Sequence, residues 1–171
     1  MKLNKIMLML VVLIVSSSLC LSAAPKRGKK YASLEFEKGN MFLTPQIGLN
    51  SYAVPFGVNF EYAMTENIGV GGTVMMWIWN HGTLILPSVD AAYHFTMLEV
   101  EKLDLFAGAG LGFAIFSAKG GYSGSSGIYI SPFVAGRYWF SDKMAASLRV
   151  NVGLIGDWTG VGGLLGVTFR I

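Results

Sequence analysis

Sorting this chain by odd and even position within each extended segment gives two chemically different sets, and that separation limits the folds open to it. Successive side chains of a strand point to opposite faces, so residues two apart share one. One set holds Leu43, Pro45, Ile47 and Leu49; Val58, Phe60, Tyr62 and Met64; Ile68, Val70, Gly72, Val74, Met76 and Ile78; Ile85, Pro87, Val89, Ala91, Tyr93 and Phe95. It continues with Leu105, Ala107, Ala109, Leu111, Phe113 and Ile115; Ile130, Pro132, Val134, Gly136, Tyr138 and Phe140; Met144, Ala146, Leu148, Val150, Val152 and Leu154; and Val161, Gly163, Leu165, Val167, Phe169 and Ile171. No member is charged. The opposite set carries Glu61, Asp90, Arg137, Arg149 and Arg170, with Thr44, Gln46, Asn59, Thr73, Ser88, His94, Ser131, Ser147, Asn151 and Thr168.

Two architectures use such alternation. A soluble barrel or sandwich turns its charged face to water, which five strand charges cannot cover. Only 13% of the chain is charged, against roughly a quarter in soluble domains. A transmembrane barrel sets the apolar face against lipid and the polar face in its lumen. The sequence therefore predicts an all-β fold, an eight-stranded antiparallel up-and-down transmembrane β-barrel over residues 40–171, with Arg137 and Arg149 pointing inward. From Asn67 to Val89 there is an uncharged run of helix-spanning length, but Gly71-Gly72, Asn80-His81-Gly82 and Pro87 disfavour a helix.

The links agree. Short corners at Thr65-Glu66-Asn67 and Ser141-Asp142-Lys143, and a longer one at 97–104, alternate with more open links at 50–56, 79–83, 117–127 and 156–160. Outer-membrane barrels have short periplasmic turns and longer external loops, which places both chain ends in the periplasm. Phe60, Tyr62, Tyr93, Phe95, Tyr138, Phe140 and Phe169 would form one interfacial girdle. Pro45, Pro87 and Pro132 cannot donate ladder hydrogen bonds and should mark bulges or strand ends. Residues 31–39, YASLEFEKG, alternate weakly and offer a ninth strand, against the even count usual in bacterial barrels.

The first residues have the layout of a secretory signal peptide. Lys2 and Lys5 precede an apolar run from Ile6 to Val15, and small residues lead to cleavage near Ala23 or Ala24. The run is too short for a membrane anchor. Lipidation at Cys20 fits poorly because Leu19 precedes it. The expected organisation is thus a signal peptide over 1–24, a periplasmic leader over 25–39 with the solvated run KRGKK, and the barrel from 40. Cleavage leaves 11 Lys and Arg against 10 Asp and Glu, which gives no basis for nucleic-acid binding.

On these residues the chain resembles the small eight-stranded bacterial outer-membrane barrels of the OmpA/OmpX/OmpW type. Its ending GVTFRI resembles their carboxy-terminal assembly signal: Gly166, then Phe169 and Ile171 on one face, with isoleucine in place of a terminal aromatic residue and Leu164 where a polar residue is common. The resemblance implies outer-membrane lipid and the barrel assembly machinery as partners, and an OmpW-like apolar cup that admits small hydrophobic solutes.

Eight strands enclose room for side chains or one small ligand. Inward glycines 108, 110 and 112 make space for larger neighbours, and their spacing is not that of a nucleotide loop. Glu61, His94, Arg137, Arg149 and Arg170 are expected toward the periplasmic half, with Asp90 at mid-height, ion pairing lowering the cost of enclosure. Met75, Trp77, Trp79, Leu86, Phe116, Phe133 and Ile155 are expected to line the cup beneath the external links. A lipid A-modifying enzyme is the alternative, using His81, Asp157 and Ser117, Ser123, Ser125 or Ser126, but base and nucleophile must lie within hydrogen-bond reach. No metal-ligand spacing is present, so neither cofactor nor metal is expected, and the sequence favours a non-enzymatic envelope role.

Overall fold

The alternating segments become strands in the computed structural model, which describes residues 36–50, 54–80, 82–98, 100–118, 126–154 and 160–171. Residues 1–35, which hold the expected signal peptide and most of the expected leader, and His81, Ser123, Ser125, Ile155 and Asp157 lie outside the described residues. The strands are β1 (Met41–Asn50), β2 (Phe56–Ala63), β3 (Ile68–Trp79), β4 (Gly82–His94), β5 (Leu103–Ala118), β6 (Ser126–Ser141), β7 (Met144–Gly153) and β8 (Gly160–Arg170). Each pairs antiparallel with its neighbour in sequence, and β1 pairs with β8 to close the barrel. A 3-10 turn, Thr96–Leu98, follows β4; exposed Met97 and Leu98 fall outside the compact unit that holds the strands. Among the described residues no helix is long and apolar enough to cross a membrane.

The parity of the sequence is the parity of the wall. Every buried strand residue belongs to the polar-bearing set or its register, from Thr44, Gln46, Asn59 and Glu61 through Ser131, Arg137 and Thr168. The apolar set faces out, with Leu165 62% and Val89 66% exposed. Phe60, Tyr62, Tyr93, Tyr138 and Phe140 are exposed rings at the end where the barrel begins and finishes; Tyr93 packs edge-on against Phe95, with centroids 5.5 Å apart.

The prolines make no bulge. Around Pro45 the β1–β8 ladder skips from Leu43↔Phe169 to Gln46↔Gly166, and around Pro87 the β4–β5 ladder skips from Ile85↔Ile115 to Ser88↔Gly112, both without a change of register. Each proline therefore omits a hydrogen bond locally, and the flanking pairs hold the alignment. Pro132 is in the middle of β6, paired with Ala109 of β5, and lies just past the last β6–β7 pair, Phe133↔Asn151, so it marks neither a bulge nor a strand end.

The packed unit starts before residue 40. Gly39 has φ of +93°, a conformation open to glycine and strained for other residues. Its amide donates to the Ala63 carbonyl at 2.9 Å, and the Asn40 amide to the Glu37 carbonyl at 3.1 Å. This turn carries Phe36 into the barrel mouth, where it is buried against Phe42, Ala63, Trp139 and Ala145. Residues 36–40 form no strand; the end of the leader is a stopper rather than a solvated tail. Phe36→Ala should destabilise the barrel by about 1.5–3 kcal/mol, the value of burying one such side chain. Urea unfolding followed by tryptophan fluorescence would measure it, and a loss below ~0.5 kcal/mol would contradict the stopper.

Candidate functional site in the barrel lumen

Inward side chains are stacked in layers, and contacts between them fix the order from the terminal mouth inward. Phe36 stacks on the His94 ring at 3.5 Å between centroids, and His94 stacks in turn on Phe106 at 4.6 Å. Phe106 meets Phe133 edge-on at 6.3 Å, and the Arg149 guanidinium lies 3.6 Å above the Phe133 ring. Beyond Arg149 come Asp90 and then the apolar cluster of Met75, Trp77, Leu84, Leu86, Ala114 and Leu164. Aromatic rings thus separate two ionic layers.

The first ionic layer is Glu61, His94, Asp104 and Arg137, from β2, β4, β5 and β6. Nε2 of His94 is 2.9 Å from Glu61 Oε1, and its Nδ1 is 2.8 Å from Asp104 Oδ1. A neutral imidazole donates from one nitrogen only, so both contacts are hydrogen bonds when both nitrogens carry protons. Arg137 pairs with Glu61 Oε2 and reaches Asp104 Oδ2 at 3.5 Å. Two anions and two cations then balance inside the wall. The Arg137 guanidinium also lies over Phe42 at 4.9 Å and Phe106 at 4.5 Å.

The second layer centres on Asp90, whose Oδ2 is 3.1 Å from Arg149 Nη1. Thr73 Oγ1 donates to the same oxygen, Ser88 Oγ donates to Oδ1 at 3.0 Å, and Asn59 Nδ2 adds a longer contact at 3.4 Å. Gly110, directly opposite Asp90 across β4 and β5, has no Cβ to crowd the carboxylate. Gly108 does the same for Phe133, whose ring tip lies 2.7 Å from where a Cβ would stand. Arg170 lies 4.5 Å over the Trp139 ring near the mouth.

Several sequence expectations change here. Asp104, assigned to the 97–104 corner, is the second residue of β5 and faces inward. Its parity with Phe106 was the available signal. Arg149 sits with Asp90 in the second layer, away from Glu61 and Arg137. Phe133 packs between the ionic layers with Ala92 and Phe106 instead of lining the cup. Met75, Trp77, Leu86, Trp79 and Phe116 do come together at the far end, joined by Leu84, Ala114, Leu164 and Tyr129; Trp79 and Phe116 stack at 5.5 Å. That cup is packed with its own side chains. Ser117 and Ser126 belong to β5 and β6, and His94, fully buried, has carboxylates at both nitrogens and no nucleophile. Among the described residues no cluster of His, Cys, Asp or Glu is suited to holding a metal ion. At the carboxy end Gly166 faces inward beside Thr44 and Ser147, while Phe169 and Ile171 lie on the outward parity.

No family model and no curated protein matches the chain. Solved structures do. The N-terminal β-barrel domain of Pseudomonas aeruginosa OprF superposes with a TM-score of 0.62 at 19% identity, over 78% of this chain and 98% of that one. The fold is that of the small outer-membrane β-barrels. The outer membrane protein OprG, also from Pseudomonas aeruginosa, gives 0.59 at 10% identity over 79% and 97%. A de novo designed transmembrane β-barrel gives 0.56 at 12% identity over 79% and 98%. The wall can therefore be reached by sequences with little in common, and activity must be argued from this lumen.

Proposed function

We propose that the protein is an integral outer-membrane barrel with a sealed lumen and a non-enzymatic role in the envelope, its open links outside and both chain ends in the periplasm. The observation that carries this reading is the pairing of an uncharged, exposed apolar wall with a lumen blocked by two ionic layers, the Phe36 stopper and the filled far-end cluster. Contiguous exposed apolar surface of this extent marks a contact face in any protein, and hydrocarbon suits a wall apolar all round. Outer-membrane lipid and the barrel assembly machinery are the partners; the residues at Gly166, Phe169 and Ile171 support the second. Passage of small hydrophobic solutes would require the Trp77, Leu86 and Leu164 packing to give way, which disfavours it.

Reconstitution tests the sealed lumen. Planar bilayers containing the purified barrel should show no conductance above bare lipid, and vesicles should not swell with small sugars or short apolar solutes. Alanine at Trp77 and Trp79 should leave uptake unchanged. Stable unitary conductance in the unmodified barrel would overturn the proposal.

A further inference from the structure

Between the Asp90–Arg149 pair and the far-end apolar cluster lies a cavity of about 40 Å³. Ser131, Asp90 and Arg149 contribute to its polar side, and Met75, Trp77 and Leu164 to its apolar side. Three polar atoms on these lining residues have no hydrogen-bond partner among the described residues: Trp77 Nε1, Ser131 Oγ and Arg149 Nε. Trp77 and Ser131 are only 7% and 3% exposed, so bulk water does not serve them. Indole and guanidinium nitrogens can only donate, and the unmet demand is for an acceptor. Leaving a buried donor unmatched costs more than its bond would gain.

We propose that this cavity is an internal water site in which ordered water accepts from Trp77 and Arg149 and bonds with Ser131. Two other occupants of such a donor set fit less well. A small anion would enter a place where the Arg149 charge is already matched by Asp90, and would stand as an uncompensated buried charge. An organic solute is too large: a cavity that takes benzene measures about 150 Å³, whereas one water needs only about 10–15 Å³. The volume here has room for roughly three or four waters on that scale. The second ionic layer is therefore hydrated.

The refolded chain in deuterated micelles, with ¹⁵N-labelled tryptophan, tests it directly. Trp77→Phe assigns the Trp77 indole signal by its disappearance. In the unmodified protein that indole proton should show a direct cross-relaxation peak to water, and crystals should show density within hydrogen-bond distance of Trp77 Nε1 and Arg149 Nε. Absence of both the cross-peak and the density would overturn the proposal. An anomalous bromide peak in the cavity, after exchange of chloride for bromide, would also overturn it and identify an anion site.

Discussion

Arg137→Met is expected to lower the unfolding free energy of the barrel by about 3–5 kcal/mol, the usual consequence of removing one partner from a buried ion pair. The guanidinium is 2% exposed and serves both Glu61 and Asp104. Without it His94 alone faces two buried carboxylates. The same change at Arg149 should cost less, because Asp90 keeps hydrogen bonds from Thr73 and Ser88 and borders the cavity above it. Urea titrations of refolded protein in lipid vesicles measure both. Adding Glu61→Gln to Arg137→Met should recover part of the loss, since it removes the stranded charge. If Arg137→Met cost under ~1 kcal/mol, within the range of a surface pair, the first layer would not be the buried ionic network described.

Leu111→Arg carries the second large effect, about 2–4 kcal/mol if the outer wall meets hydrocarbon at mid-strand. Leu111 is 52% exposed near the middle of β5, where an arginine in water would be nearly neutral. The substitution thus reads the solvent around the wall rather than its packing. Leu111→Ala separates the two: alanine should cost little in either medium. Stability of the arginine variant equal to that of the alanine variant, in vesicles, would remove the lipid-facing assignment.

Reading the fold from sequence worked because a strand has period two and one face of every segment carries no charge. Each of the eight segments had one uncharged apolar face, which set its register, and Glu61, Asp90, Arg137, Arg149 and Arg170 all fell on the opposite parity. Asp104 escaped because a charge beside a turn looks like a solvated corner; pairing of Leu103 with Tyr138 and Asp104 with Arg137 draws it into the strand. Phe36 escaped for a similar reason. It lies in a weakly alternating segment before the first strand, and only the turn at Gly39 shows that it folds back into the mouth. Parity also says which side chains point inward but not how high they sit, and Phe133 and Arg149 were misplaced along the axis on that account.

What the sequence by itself determined is the wall: strand number, the outward face, and the inward direction of Glu61, Asp90, His94, Arg137, Arg149 and Arg170, since these follow from local periodicity. The tertiary structure alone decided the partners. Glu61 and Arg137 stand 76 residues apart, and His94 reaches Asp104 and Glu61 on two other strands. Strand tilt and closure bring such groups to one level, and those are properties of the whole ring that no single segment encodes.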